Sequence, residues 1–167
     1  YTKSSVAGQC LEKLFRDLPQ VKDKHFIEPS AGNGSFYSLL PRYRRIGLDI
    51  VPNAKGIKKD NFLEWKPPIN DKNRYVVVGN PPFGHRSELA VDFFNHAASM
   101  ANTIGFIVPR QFQKYSVHSR LNEDFKLIRD YELEENSFYT PDGKDFRVRC
   151  VFQEWTREET NYKNLRF

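Results

Sequence analysis

The stretch RYVVVGNPPFGHRS, residues 74–87, contains the most informative transition in the chain. Its three consecutive valines, 76–78, form a β-branched apolar run that is typical of a strand buried on both faces of a sheet. The strand ends at Gly79, and a carboxamide (Asn80), two prolines and an aromatic ring (Phe83) follow. A buried strand that leads into a stiff, polar loop tipped with an aromatic ring indicates a binding site at the carboxyl end of that strand.

Alternating helices and strands surround this run. Apolar residues at helical spacing predict helices over 4–18 and 87–101. We predict a strand, a glycine turn and a helix start within 24–36, further strands at 44–52, 74–80, 103–109, 127–138 and 146–155, and a short strand or extended segment at 56–65. The last two strands in the chain flank TPDGKDF, a turn-forming segment, and are expected to pair antiparallel. The pattern predicts an α/β open sheet closed by one antiparallel strand.

Composition narrows the class of protein. The chain has 167 residues, of which 39% are hydrophobic and 28% charged, so it can bury the core of a single domain over 1–167. Its net charge of +5 is a moderate bias towards polyanions. No apolar run approaches the roughly 20 residues of a membrane span, and no secretory signal is recognisable. Because residue 1 is Tyr rather than Met, we expect a piece of a longer protein whose flanks are missing.

The cysteines and histidines do not form a metal-binding pattern. Cys10 and Cys150 lie in apolar surroundings without a CxxC spacing, and the four histidines are scattered. We therefore expect no metal site, and two buried free thiols in a reducing intracellular compartment, the cytoplasm or the nucleus.

Four features follow the predicted strands, where ligands of open α/β sheets bind. The first is the glycine-rich turn EPSAGNG, residues 28–34, which lacks the GxGxxG phosphate-loop spacing. Asp49 ends the next strand, 17 residues after Gly32, a spacing that suits a carboxylate accepting ribose hydroxyls. Asp60-Asn61-Phe62 can hydrogen-bond an adenine edge and pack on its ring. The fourth feature is the NPPF loop, residues 80–83.

Each feature alone also fits a structural role. A glycine turn, a solvated acid at a strand end, a capped turn and a proline-stiffened loop are all ordinary parts of folds. Their order and spacing together favour a ligand site.

In this order, the motifs resemble those of class I S-adenosylmethionine-dependent methyltransferases, specifically the enzymes that modify the N6 amino group of adenine. EPSAGNGSF resembles their glycine motif, GLDI their ribose acid, DNFLEW their adenine-contact motif and NPPF their catalytic motif, and YTKSSVAGQCLEKL resembles the cofactor segment that precedes the glycine motif. The order matches the γ-type arrangement. The resemblance implies a Rossmann-like fold with a seven-stranded, mostly parallel sheet, one antiparallel strand and helices on both faces.

The resemblance also implies S-adenosylmethionine as cofactor and assigns roles by position. Thr2 and Glu28 would contact the methionine part and Asp49 the ribose. The family commonly has Asp before the Phe of the adenine motif, where this chain has Asn61 after Asp60, so either residue can take that contact. The implied cofactor-binding set is Thr2, Glu28, Pro29, Ser30, Gly32, Gly34, Asp49, Ile50, Asp60, Asn61, Phe62 and Asn80.

The NPPF loop supplies the implied catalytic residues Asn80, Pro81, Pro82 and Phe83. The Asn80 side-chain oxygen and the Pro81 carbonyl would accept hydrogen bonds from the adenine amino group, and Phe83 would stack on the base.

A second segment, residues 110–121, is the best candidate for further substrate contacts. Arg110, Lys114 and Arg120 can meet phosphates, and Phe112 and Tyr115 can stack on bases. The alternative is a solvated loop with its aromatics turned inward. The expected partner is DNA or RNA that presents an unpaired or flipped adenine, with recognition supplied in part by a protein partner or a flanking domain.

Two other functions stay open at this point. A methyltransferase acting on a glutamine amide faces the same chemical problem, although those relatives usually have Tyr where Phe83 stands. A non-catalytic subunit could keep the fold and bind nucleic acid or a partner. The intact NPPF, Asp49 and glycine motifs favour an active enzyme.

Overall fold

Nine strands form two sheets in the computed structural model, which describes residues 1–167. In chain order the strands are β1 (His25–Glu28), β2 (Arg45–Asp49), β3 (Lys58–Lys59), β4 (Tyr75–Gly79), β5 (Thr103–Pro109), β6 (Lys126–Glu132), β7 (Phe138–Tyr139), β8 (Asp145–Phe146) and β9 (Cys150–Thr156). Seven of them make the main sheet, in the order β3-β2-β1-β4-β5-β9-β6, and β7 pairs with β8 in a small separate ribbon.

The main sheet is parallel except at one strand. β9 runs antiparallel to both of its neighbours, β5 and β6, while every other adjacent pair is parallel. The predicted antiparallel pairing of the last two strands is confirmed, but both strands are shorter than predicted. Residues 133–149 leave the sheet because they are mostly polar or charged and cannot be buried between β6 and β9.

The helices are α1 (Ser4–Asp17), α2 (Glu88–Ala98) and the single turn α3 (Tyr115–His118). The two predicted helices are confirmed within three residues at each end. The predicted helix start after the glycine turn is wrong, because only a 3₁₀ turn forms there, at Tyr37–Leu39. Pro41 follows closely and holds Leu40 in an extended conformation, which ends any helix.

The predicted short strand or extended segment over 56–65 pairs only in part. Only the two residues of β3 pair with β2. The chain then turns at Phe62–Glu64, because the Asn61 side chain accepts a hydrogen bond from the Leu63 amide at 3.1 Å and caps that turn.

Two apolar layers sandwich the sheet, and β4 shows how they are built. Val77 belongs to the layer that packs with α2, whereas Val76 and Val78 belong to the layer that packs with α1. Side chains alternate across a strand, so consecutive valines fill both layers. Helices therefore cover both faces, as predicted, and the carboxyl ends of the parallel strands stay open at one edge.

The layer beneath α1 contains a buried acidic pair, Asp17 and Glu154. Tyr131 donates a hydrogen bond to Asp17 at 2.6 Å, and the Arg129 guanidinium lies 3.8 Å from the same carboxylate. Both Glu154 carboxyl oxygens are buried without a donor. Burial raises the pKa of Glu154 to about 9, and neighbouring Asp17 acts in the same direction. At neutral pH Glu154 is therefore protonated.

Both cysteines are buried free thiols, as predicted. Burial raises the pKa of each to about 12, which keeps them protonated and unreactive. No helix of the protein combines the length and apolar character that a bilayer crossing requires.

Candidate active site

A cleft of about 290 Å³ lies at the carboxyl ends of β1, β2 and β4. This volume is at the lower end of the roughly 300–1,000 Å³ that is usual for small-molecule sites. The structure brings nine predicted site residues to this cleft: Thr2, Glu28, Ser30, Gly32, Asp49, Asn80, Pro81, Pro82 and Phe83. The cleft is also lined by Tyr1, Ala31, Asn33, Ser35 and Phe36, which the sequence analysis did not single out.

Asp49 ties the glycine turn to the end of β2. Its carboxylate accepts hydrogen bonds from the Gly32 amide at 2.7 Å and from the Val51 amide at 2.8 Å. Gly32 has φ of +54°, and a β-carbon there would lie 3.2 Å from the Tyr1 ring, so the turn requires glycine. A carboxylate offers about four acceptor positions, and two remain for ligand hydroxyls.

Glu28 is the buried acid of the cleft, with 2% of its surface exposed. Its carboxylate accepts a hydrogen bond from the Ser30 amide at 3.3 Å. Burial raises the pKa of Glu28 well above its usual range, and the negative charge of Asp49 adds to that effect despite the opposing hydrogen bond. A cationic group bound beside Glu28 would favour the ionised carboxylate, so the site is suited to a positively charged ligand.

Gly79 lies directly against Glu28. A β-carbon at Gly79 would be 2.2 Å from Glu28 Oε1, and the φ of Gly79 is +147°, where other residues are strained. This glycine therefore lets β4 and β1 approach closely enough to place Asn80 beside the acid of the cleft.

We expect Gly79→Ala to lower the free energy of unfolding by about 1–3 kcal/mol, because the methyl group collides with a buried carboxyl and the backbone is strained. Chemical denaturation would measure the change. Gly8→Ala is the control, since a β-carbon in mid-α1 would lie 3.8 Å from Leu39 Cδ1 and should stabilise the helix by about 0.5–1 kcal/mol. Equal effects of both substitutions would contradict the argument.

The NPPF loop presents two free acceptors. The side-chain nitrogen of Asn80, Nδ2, donates a hydrogen bond to Thr2 Oγ1 at 3.1 Å. This bond orients the carboxamide, and Oδ1 has no protein donor. The Pro81 carbonyl also accepts no hydrogen bond from the protein. The Phe83 ring is half-buried and contacts both apolar layers. The backbone carbonyl of Phe83 accepts a hydrogen bond from the Ala90 amide at 3.2 Å. The loop is therefore held at its base and at its aromatic tip.

Residues 1–3 form a wall of the cleft by pairing with residues 137–139. The Lys3 amide donates to the Ser137 carbonyl at 2.9 Å, and the Tyr139 amide donates to the Tyr1 carbonyl at 3.0 Å. Ser35 Oγ holds the same segment from the other side by donating to the Thr2 carbonyl at 2.5 Å. The segment YTKSS, quoted above for its resemblance to a cofactor segment, was the only sequence signal for this wall.

Six predicted cofactor residues lie outside the cleft lining: Pro29, Gly34, Ile50, Asp60, Asn61 and Phe62. Phe62 is 1% exposed and packs on Phe93, with ring centroids 5.2 Å apart. Its predicted stacking on an adenine ring is therefore wrong, because the ring completes the core beneath α2. Ile50 is 65% exposed beside Asp49, and the Asp60 amide donates to the Asp49 carbonyl at 3.1 Å. Ile50 and Asp60 therefore lie next to Asp49, a residue of the cleft lining, without lining the cleft themselves.

The predicted substrate segment 110–121 divides into a buried and an exposed part. Phe112 is fully buried, and its carbonyl accepts His118 Nε2 at 2.6 Å and Gln153 Nε2 at 3.2 Å. The prediction that Phe112 stacks on a base is therefore wrong, since the ring belongs to the core. Tyr115 is 67% exposed, and Arg110 and Lys114 are exposed too.

No protein-family model matches the chain. Among curated proteins, the chain is similar to AA9 family lytic polysaccharide monooxygenase D of Geotrichum candidum, with 26% identity over 133 residues. The match covers 69% of this chain and 40% of that protein. An identity this low does not establish a family.

Solved structures give a clearer comparison. A methyltransferase subunit of a type I restriction-modification system from Streptococcus thermophilus has a TM-score of 0.69 and 16% identity, covering 96% of this chain and 45% of that one. A proposed RNA methyltransferase from Pyrococcus horikoshii has a TM-score of 0.67 and 16% identity, covering 91% and 84%. Magnesium protoporphyrin IX methyltransferase from Synechocystis, with bound S-adenosylmethionine, has a TM-score of 0.65 and 12% identity, covering 93% and 79%.

These likenesses establish the fold. The chain has the Rossmann-like architecture of class I S-adenosylmethionine-dependent methyltransferases, which confirms the predicted fold class. At these identities the comparison does not extend to the substrate.

Proposed function

We propose that the protein transfers a methyl group from S-adenosylmethionine to the N6 amino group of an adenine in nucleic acid. One observation carries this proposal: two acceptors without a protein donor lie at the edge of the cleft. The side-chain NH₂ group of Asn80 donates a hydrogen bond to Thr2, so the side-chain oxygen of Asn80 is one of these acceptors, and the Pro81 carbonyl is the other. Two acceptors are what a primary amino group with two N–H bonds requires. One structural relative holds bound S-adenosylmethionine, and two others are a proposed RNA methyltransferase and a restriction-modification methyltransferase subunit.

The cleft fits the cofactor by the chemistry of its donors and acceptors. Asp49 has acceptor positions left for the two ribose hydroxyls. Glu28 is a buried carboxyl that gains from a cationic neighbour, and the cofactor has an ammonium and a sulfonium group. Ile50 exposes an apolar side chain that can pack on the adenine ring. Asp60 is the better candidate for the adenine amino group, because one of its two carboxylate oxygens accepts the Asn61 amide and the other has no protein donor, whereas the single side-chain oxygen of Asn61 already caps the following turn.

The amino nitrogen of adenine is a poor nucleophile because its lone pair is delocalised into the ring. When bound, the cofactor supplies an activated methyl group on a sulfonium leaving group. Asn80 Oδ1 and the Pro81 carbonyl accept hydrogen bonds from the two N–H groups of the adenine amino nitrogen. This arrangement favours a pyramidal nitrogen whose lone pair is free to attack. The nitrogen gains positive charge as it attacks, so these fixed dipoles bind the transition state more strongly than the ground state. The prolines fix the carbonyl direction.

Proton removal needs no strong base in this arrangement. The methylated nitrogen is cationic and its proton is acidic, so release to solvent through the Asn80 and Pro81 acceptors suffices. Phe83 would hold the adenine ring by stacking, worth about 1–3 kcal/mol.

We expect Asp49→Ala to weaken S-adenosylmethionine binding at least tenfold, or about 1.4 kcal/mol, because the ribose loses its acceptor and the glycine turn loses its anchor. Isothermal titration calorimetry would measure the change. Asp71→Ala is a matched control. The Asp71 carboxylate also accepts a hydrogen bond from the amide two residues later, that of Asn73, at 3.0 Å, but Asp71 lies before β4 at the opposite edge of the sheet. Unchanged affinity in Asp49→Ala would refute the assigned role.

Product analysis tests the reaction itself. Single-stranded DNA, duplex DNA, unstructured RNA, structured RNA and a glutamine-containing peptide would each be incubated with methyl-labelled S-adenosylmethionine. We expect N6-methyladenine after digestion of at least one nucleic acid. Label in the peptide alone would replace the proposal with glutamine methylation. Cofactor binding without transfer to any substrate, even with partner proteins added, would favour a non-catalytic subunit.

A further inference from the structure

A second groove, of about 490 Å³, shares Phe83 with the cleft and is otherwise lined by different residues. Its walls are formed by residues 83, 84, 86 and 87 at the end of the NPPF loop and just after it, residues 109–111 at the end of β5, and residues 148–149 before β9. Phe83 is the residue that lines both the cleft and this groove. A base stacked on Phe83 would therefore lie where the cleft and the groove meet.

Three arginines line this groove: Arg86, Arg110 and Arg149. No carboxylate side chain lines it. Arg110 and Arg149 have acidic neighbours outside the groove, Glu132 at 3.5 Å and Glu135 at 2.9 Å, and all four of these side chains are between 44% and 69% exposed. Exposed ion pairs of this kind contribute about 0–1 kcal/mol, so a phosphate can replace either carboxylate. Arginine binds phosphate through two parallel N–H bonds.

Arg86 is set apart by its backbone and by its lack of an acidic partner. Arg86 and Ser87 both lie in the left-handed region, with φ of 51° and 62°. Such a conformation is costly for residues other than glycine and persists where the surroundings impose it. Ser87 is buried, whereas Arg86 is exposed on the groove wall and forms no ion pair. Its charge is therefore free to meet a ligand anion.

We propose that this arginine groove, lined by Arg86, Arg110 and Arg149, binds the phosphodiester backbone of a single-stranded nucleic acid whose target base stacks on Phe83. This inference rests on the proposed function and names how its substrate is held. Guanidinium groups in a groove that also contains an aromatic ring suit a single-stranded nucleic acid, because the guanidinium groups can bind its phosphates while the ring stacks on a base. The groove contributes affinity for the strand but no base sequence preference.

Fluorescence anisotropy with short labelled oligonucleotides of DNA and of RNA tests the groove directly. We expect Arg149→Gln and Arg86→Asn each to weaken binding at least threefold. Asparagine is chosen at Arg86 because it tolerates the left-handed conformation. Each lost phosphate contact should lower the slope of log affinity against log salt by about 0.7. The DNA and RNA arms show which strand the groove prefers.

Lys22→Ala is the matched control, because Lys22 is an exposed cation before β1, at the opposite edge of the sheet. The inference is overturned if the two arginine variants keep the affinity and salt slope of the parent protein, or if Lys22→Ala lowers both equally. A polyglutamate peptide that binds as tightly, with the same dependence on the arginines, would also overturn it in favour of an acidic peptide.

Two further measurements separate the groove from the reaction. We expect Arg149→Gln to bind S-adenosylmethionine like the parent protein, because Arg149 does not line the cleft. Arginine-dependent strand binding without any methyl transfer would retain the groove and reject the proposed function. Methyl transfer to a polynucleotide with unchanged kcat/KM in both arginine variants would retain the function and reject the groove.

Discussion

Asn80→Ala is expected to lower kcat for methyl transfer at least about 100-fold while S-adenosylmethionine affinity changes only a few-fold. In the proposed mechanism the Asn80 oxygen is one of two acceptors for the amino group, and its contribution grows as the nitrogen becomes cationic. The loss should therefore fall on kcat rather than on KM. Single-turnover transfer of a labelled methyl group gives the rate, and calorimetry gives cofactor affinity.

Two companion variants make this test specific. Asn80→Asp keeps an oxygen acceptor but loses the donor to Thr2, so we expect it to retain more activity than Asn80→Ala. Asn70→Ala removes an exposed asparagine before β4 and should leave transfer unchanged. Near-normal turnover in Asn80→Ala would reject the role of the NPPF loop.

Glu154→Gln is expected to raise the free energy of unfolding at alkaline pH. It should also make the free energy of unfolding depend less steeply on pH. The folded protein holds Glu154 protonated up to about pH 9, whereas the unfolded chain releases that proton above about pH 4.5. The native state therefore binds more protons between these values, so Glu154 makes stability fall as pH rises, by up to about 1.4 kcal/mol per pH unit. Glutamine is neutral throughout and removes this contribution.

Urea denaturation from about pH 6 to about pH 9 would measure the effect. A residual decline should remain in Glu154→Gln, because burial also raises the pKa of Glu28. Glu12→Gln is the control, since Glu12 is exposed on α1 and the same substitution there should leave the slope unchanged. Parallel stability curves for the parent protein and Glu154→Gln would show that Glu154 is ionised in the native state.

The sheet was predictable because its signals are local. The valine run of β4 and the periodic apolar residues of α1 and α2 specify elements without reference to distant residues. The predicted convergence of Gly32, Asp49 and Asn80 followed from topology, since parallel strands end at one edge.

The errors arose where a residue's environment depends on distant parts of the chain. Phe62 and Phe112 are aromatic residues in largely polar segments, and sequence alone does not reveal whether such a ring faces the core or the solvent. The pairing of residues 1–3 with residues 137–139 joins two short segments without periodicity. Glu154 lies in β9, which is paired along both edges and buried along its whole length, and a lone acid in the sequence does not indicate such burial.

The pairing of residues 1–3 with residues 137–139 has a consequence for the order of assembly during folding. Thr2, which orients Asn80, is separated from Ser137 by most of the chain, and contacts between such distant segments carry a high loop-closure cost. The central strands can therefore associate before this wall exists. We expect a refolding intermediate that has a formed sheet and helices but binds no S-adenosylmethionine, so that recovery of cofactor affinity in stopped-flow experiments lags behind recovery of the circular dichroism signal.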